Sequence, residues 1–232
     1  MDDSETLAQA YLTHLGFKNV VYEPEGKSKP PDFLVEQRIA VEVRRLNQHE
    51  VSSQAGTKPR GLEEVAIPVW ANIQRLLPSL GPPNGGVSWY IHIRYSRPVP
   101  KRRALEDAVR RHLEAFRDGA VQNPTTIRVF KNFIIKLFRA GRLYSDYFVM
   151  GGRSDFDSGG WVIPELERNL KICIDEKTAK VSAIRGKYSE WWLALIDRIN
   201  YGAQEAIQVP PHNWDKIILI NPLDPTKAFE IR

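Results

Sequence analysis

A mixed α/β fold, with a central sheet flanked by helices, is predicted by three features of the chain. Residues 31–47, PDFLVEQRIAVEVRRLN, read as two short strands: the apolar run Phe33-Leu34-Val35, a polar turn from Glu36 to Arg38, then Ile39, Val41 and Val43 alternating with Ala40, Glu42 and Arg44. Residues 4–15 and a longer stretch from Pro164 to about Lys187 carry apolar residues at helical spacing. Near the C-terminus, WWLALIDRI (191–199) and KIILIN (216–221) are apolar runs of strand length.

The first helix has Ser4 as its expected N-cap, a stripe of Leu7, Ala8, Tyr11, Leu12 and Leu15, and Gly16 as its C-terminal stop. Glu5 lies in its first turn, where a negative charge suits the helix dipole. A strand is expected over 18–23, then a charged turn that leads into the hairpin. After it, 48–60 (QHEVSSQAGTKPR) is a polar loop, and 62–77 is a helix kinked or restarted at Pro68. GPPNGG at 81–86 breaks the chain before a strand at 87–95 and a helix at 101–117. The apolar runs at 127–138 and 143–150 read as further strands, and GGRSDFDSGG, 151–160, as a loop at a hairpin tip. Its Asp155-x-Asp157 has the spacing of a calcium loop but no glutamate to complete one. In the long helix, Leu166, Leu170, Cys173 or Ile174, Val181 and Ile184 form the expected buried face; Lys177 and Lys180 are expected opposite it, in solvent. Trp191 and Trp192 are read as core and strand-edge residues.

At 232 residues with 42% hydrophobic content, the chain fits one large or two small domains. It has no run of eighteen apolar residues, and its acidic N-terminus is unlike a signal peptide, so a cytoplasmic protein without membrane association is expected. The single cysteine, Cys173, excludes an internal disulfide framework and a cysteine-rich zinc site. A net charge of +5 and a pI near 9.3 lean toward polyanionic partners. The five histidines have no metal-ligand spacing, and there is neither a glycine-rich phosphate loop nor a nucleophile elbow.

The chemistry concentrates in the hairpin. Alternation puts Glu42 and Arg44 on one face of the second strand, and closure of the hairpin brings Asp32 near Glu42. Two close carboxylates repel unless a cation compensates them. Mg²⁺ or Mn²⁺ meets that need, and a metal so placed can activate water and stabilise charge on a phosphate.

At Pro31-Asp32, nine intervening residues and Glu42-Val43-Arg44, the chain resembles the PD-(D/E)XK nuclease superfamily, with arginine where that motif has lysine. The resemblance covers roughly the first fifty residues and, more faintly, the last seventy. It implies a restriction-endonuclease-like core of helix, three or more strands, helix and strand. It also implies that Asp32, Glu42 and the Val43 carbonyl ligate metal and that Glu5 assists. The core would comprise 1–50 and 161–232, with 51–160 an insertion within it or an elaboration of it. Arginine stays protonated and cannot serve as a general base, so Arg44 would orient water or stabilise charge. Lys177, Lys180 or Lys187 on the long helix is the alternative source of the motif's lysine.

From Arg128 to Arg153, six basic residues face one acid, Asp146, with Phe130, Phe138, Tyr144 and Tyr147 interleaved. Lys101, Arg102 and Arg103 open a helix at the end where cations oppose its dipole. Lys101, Arg102, Arg103, Lys131, Lys136, Arg139 and Arg142 are therefore the candidate nucleic-acid contacts, although the aromatics among them also suit a core. The expected function is metal-dependent phosphodiester hydrolysis of nucleic acid, DNA ahead of RNA. Its rival is an inactive nuclease-fold protein that binds nucleic acid or a protein. Oligomeric state is open, a homodimer included.

Overall fold

The computed structural model describes residues 1–50, 59–83, 85–119, 122–201 and 207–231. Most of the polar loop expected over 48–60, namely 51–58, lies outside the described residues, as does Asn84 in the GPPNGG break. In chain order the elements are α1 (Asp3–His14), β1 (Val20–Tyr22), β2 (Phe33–Val35), β3 (Ile39–Leu46), α2 (Glu63–Leu76), β4 (Trp89–Tyr95), α3 (Arg102–Arg117), β5 (Thr125–Phe130), β6 (Phe133–Arg139), β7 (Phe148–Asp155), α4 (Val162–Val181), β8 (Glu190–Asp197), β9 (Lys216–Ile220) and β10 (Ala228–Ile231). Short 3₁₀ turns follow α2 and α4. No helix among the described residues is long and apolar enough to cross a membrane.

The chain divides into two compact units, Met1–Pro59 with Gly160–Arg232, and Arg60–Gly159. The first holds a six-stranded sheet in the order β1-β2-β3-β8-β9-β10. Its centre, β3-β8-β9, is parallel, and antiparallel pairs finish both sides. Period-two alternation sorts the core into two layers. Ile39, Val41 and Val43 of β3 pack with Ala8 and Leu12 of α1, while Ala40 and Leu46 pack with Leu166, Leu170, Cys173 and Val181 of α4. Trp191 and Trp192 are both buried and serve opposite layers, and β8 is a central strand, so neither is at a sheet edge.

Helix α1 begins one residue before the expected start. Asp2 is its N-cap, accepting from the Ser4 and Glu5 amides through Oδ1 while Glu5 Oε2 accepts from the Asp2 amide. Ser4 lies inside the helix and is buried.

The middle segment, expected as an elaboration of the same domain, has a sheet and a hydrophobic cluster of its own. The sheet order is β5-β6-β4-β7. Trp89, Ile91 and Ile93 of β4 and Phe133, Ile135 and Leu137 of β6 pack with Val69 and Ile73 of α2 and with Leu105, Val109 and Leu113 of α3. Strand β7 runs through Gly151 and Gly152 to Asp155 beside parallel β4, so the first half of the expected 151–160 loop is ladder, not a hairpin tip. Asp155 and Asp157 clamp Arg97: the Arg97 guanidinium donates to Asp155 at 2.7 and 2.8 Å and to Asp157 at 3.1 Å.

Candidate functional site

Glu36, Gln37 and Arg38 make a three-residue connection between the paired Val35 and Ile39, with Glu36 and Gln37 at positive φ, 49° and 57°. Arg38 N donates to Val35 O at 3.1 Å to close it. The turn sets the register Phe33↔Val41, which carries Asp32 to the position beside Glu42. Asp32 Oδ2 accepts from the Val43 amide at 2.7 Å. Since a strand residue points its amide and carbonyl to the same neighbour, the Val43 carbonyl shares the Asp32 side.

Two lysines from α4 close over these acids. Lys177 Nζ donates to Glu42 Oε2 at 2.5 Å and to Asp32 Oδ2 at 3.3 Å. Lys180 Nζ donates to Glu42 Oε2 at 2.9 Å and to Asp32 Oδ1 at 3.4 Å. Glu42 is 0% exposed and Lys177 7%. The expectation of solvent exposure is therefore corrected for Lys177; Lys180 is exposed as expected, although its Nζ reaches both acids. The apolar stripe Leu170, Cys173–Ile174, Val181 passes through position 177, so helical spacing turns Lys177 inward with it. Three residues on, Lys180 is exposed and reaches the same acids from the rim. Lys187, the third helix lysine considered, pairs with Glu25 at 2.5 Å instead.

Burial pushes the Glu42 carboxyl above its ordinary range; Lys177 and Lys180 oppose that shift and Asp32 adds to it. For Lys180, burial favours the neutral amine, but its hydrogen bonds and attraction to Glu42 and Asp32 prevail, and its pKa rises.

Arg44 lies on the same face of β3 and is engaged elsewhere. Its guanidinium pairs with Glu176 of α4 at 3.1 Å and lies 3.4 Å from His49 Nε2. His49, 2% exposed, is held through Nδ1 and its amide, each 2.9 Å from Asn169 Oδ1. Asn169 in turn donates to Glu165 O at 2.6 Å. This buried polar strip alongside the acids was not anticipated, because its partners lie about 120 residues apart in sequence. Glu5 serves the α1 cap and accepts from Tyr22 Oη at 2.9 Å. Tyr22, whose hydroxyl pKa is raised by burial and by that bond, pairs with Phe33 next to Asp32. Glu5 thus neighbours the cluster through Tyr22 and makes no direct bond to either acid.

A hard dication prefers oxygen donors. Asp32, Glu42 and the Val43 carbonyl form such a set, and the two ammonium groups at 2.5–3.4 Å stand where positive charge is needed. The chemistry of the donors therefore fits Mg²⁺ or Mn²⁺. Among the described residues, no group of three or more His, Cys, Asp or Glu side chains is arranged so that it could hold a metal ion.

The basic candidates belong to the second unit and divide by place. Lys101 precedes α3, and Arg102 and Arg103 pair with Glu106 (2.8 Å) and Asp107 (4.0 Å) one turn on, which offsets their unfavourable position at the helix start. Lys131 sits in the β5–β6 turn, and Arg139 is exposed at the end of β6. Arg142 stacks 4.6 Å over Tyr144. Lys136 lies on the sheet face opposite the helices. Of the interleaved aromatics, Tyr147 is core and Phe130 packs against it, whereas Phe138 is 47% exposed.

No family, no curated protein and no solved structure matches the chain.

Proposed function

We propose that the chain is a metal-dependent phosphodiester hydrolase acting on nucleic acid, DNA ahead of RNA, with a restriction-endonuclease-like first unit. The observation that carries this reading is the convergence of Asp32, Glu42 and Lys177 from three separate elements, with Lys177 Nζ 2.5 Å from Glu42 and 3.3 Å from Asp32. The order α1, β1-β2-β3, α4, β8 supports it further, being the element order that the PD-(D/E)XK motif accompanies.

In this reading Asp32, Glu42 and the Val43 carbonyl hold Mg²⁺ or Mn²⁺. When bound, the ion polarises the phosphate and acidifies water. Lys177 takes the part of the motif's lysine. Its ammonium, held by Glu42 and Asp32, is placed to donate to a phosphate oxygen and to orient the attacking water. Lys180, the more exposed of the two, would be the one to yield its place beside the acids if a dication were bound. Arg44 secures α4 against β3 through Glu176, which fixes where Lys177 stands. Glu5 steadies β1 beside Asp32 through Tyr22.

A second reading has its own observation: Glu42 is wholly buried and both acids are already neutralised by lysines, as in a structural ion-pair cluster. The chain would then be an inactive nuclease-fold protein that binds nucleic acid or a protein. Labelled single- and double-stranded DNA and RNA, incubated with Mg²⁺, Mn²⁺ or EDTA, separate the two. The hydrolase cleaves at least one substrate with metal, and Glu42→Ala abolishes this. If wild type and Glu42→Ala leave every substrate equally intact, the second reading stands.

A further inference from the structure

One face of the second unit's sheet is unaccounted for by packing within that unit. Core formation uses the face of Ile91, Ile93, Phe133, Ile135 and Leu137, on which α2 and α3 lie. By alternation the other face presents Tyr90, His92 and Arg94 from β4, Ile134, Lys136 and Phe138 from β6, and Thr126 and Arg128 from β5, with Ile134 between Arg94 and Arg128. Each is half-exposed or exposed, and none is acidic.

A Cβ on Gly151 would stand 3.0 Å from Tyr90 Cβ, and one on Gly152 would stand 2.8 Å from His92 Nδ1. The two glycines thus let the Tyr90 and His92 side chains lie directly against the β7 backbone. Tyr90, His92, Phe138 and Gly151 line a pocket there. The polar tips of its rings are already engaged: the Tyr90 hydroxyl with that of Tyr144, and His92 Nε2 with Ser154 Oγ at 2.8 Å. What remains on offer is ring surface and positive charge. Arg94, 4.7 Å over the Phe156 ring, and Arg142 over Tyr144 extend that combination beyond the pocket. Burial, Arg94 and Lys136 together hold the His92 pKa down, as expected where cations gather without a carboxylate.

Alternating ring surface and cations complement a polymer that alternates bases and phosphates, provided its bases are free to leave their own stack. We propose that this face is a platform for single-stranded nucleic acid. Phe138 and Tyr90 stack on bases, and Arg94, Arg128 and Lys136 contact phosphates. With the hydroxyl and imidazole tips occupied, they do not read the sugar, so single-stranded DNA and RNA bind alike. The inference rests on the second unit alone and is independent of whether the acidic cluster cleaves.

The test is fluorescence anisotropy of labelled dT₂₀ with the full chain in EDTA, so that hydrolysis plays no part. Phe138→Ala is expected to weaken binding about tenfold, the loss of one stacked base. Lys136→Gln is expected to weaken it and to lower the slope of log K against log salt by about one. Arg94→Gln serves as an independent second cation, U₂₀ is expected to bind within severalfold of dT₂₀, and a blunt duplex more weakly. Thermal unfolding of each variant checks that the fold survives. Unchanged affinity in folded Phe138→Ala and Lys136→Gln would overturn the proposal. So would tighter binding of duplex than of dT₂₀, or self-association through this face without any binding of dT₂₀. A chain that binds dT₂₀ through these residues and cleaves nothing keeps the platform and loses the hydrolase.

Discussion

In the first unit, two lysines of α4 each lie within 3.4 Å of both acids and their charges cancel; in the second, the sheet face turned away from the helices carries Arg94, Arg128 and Lys136 and no acidic residue among those assigned to it. The two arrangements have opposite physics. Burying charges such as those of Glu42 and Lys177 costs several kcal/mol per ion in desolvation, which pairing only partly returns, so such a cluster is weak support for a fold. Gathering cations in water costs little, because salt screens them, and the same screening makes their value to a partner depend on salt. The buried site is therefore expected to be sensitive to pH and to single substitutions that unbalance it. The exposed one is expected to tolerate substitution and respond to ionic strength.

The sharpest break between them should appear in stability. Lys177→Met leaves the wholly buried Glu42 without its nearest partner and is expected to cost about 3 kcal/mol at pH 8. Lys136→Gln on the open face should cost no more than about 0.5 kcal/mol. Urea denaturation measures both. The sign of the pH effect follows from the raised Glu42 pKa. A group whose folded pKa lies above its unfolded value of about 4.5 contributes stability below that value and loses it as pH rises through the folded one. The Lys177→Met deficit should accordingly shrink toward pH 4, and adding Glu42→Gln should restore most of the loss at pH 8. A deficit independent of pH, or no rescue, would mean that α4 docks by packing alone.

In catalysis, Lys177→Gln is expected to lower kcat/KM about a hundredfold, the effect of removing one donor aimed at developing charge. Arg44→Gln, acting through Glu176 and the placement of α4, should lower it about tenfold. The reverse ranking would return the motif's cationic role to Arg44. A smaller effect concerns the pH profile. In the proposed hydrolase a dication would have to displace the proton that burial favours on Glu42, so the acidic limb of kcat/KM should move to lower pH as Mn²⁺ is raised, and a limb indifferent to metal concentration would count against Glu42 as a ligand.

The hairpin and its two acids were legible because a period of two and a three-residue turn, Glu36 to Arg38, leave a single register, and that register puts Asp32 beside Glu42. Lys177 has the helical spacing of a core position relative to Ile174 and Val181, but lysine is rarely buried without a partner, and its partners Asp32 and Glu42 lie far away in sequence. A lysine at a core position of a helix that covers acidic strand residues is the signal that would have found it. Strand β7 was half missed because Gly151 and Gly152 have poor strand propensity. Tyr90 and His92, some sixty residues away, leave no room for a Cβ there. The His49–Asn169 strip likewise depends on contacts no local pattern records. Asp2 escaped notice because Ser4 offered an equally acceptable cap two residues on.

The most direct measurement is the free Mn²⁺ signal in electron paramagnetic resonance, titrated with wild-type protein and with Glu42→Gln at neutral pH. Wild type is expected to deplete the signal with saturable binding at the Asp32–Glu42 site, and Glu42→Gln to leave it at the level of buffer. Equal signals for the two proteins would contradict a dication held between these carboxylates.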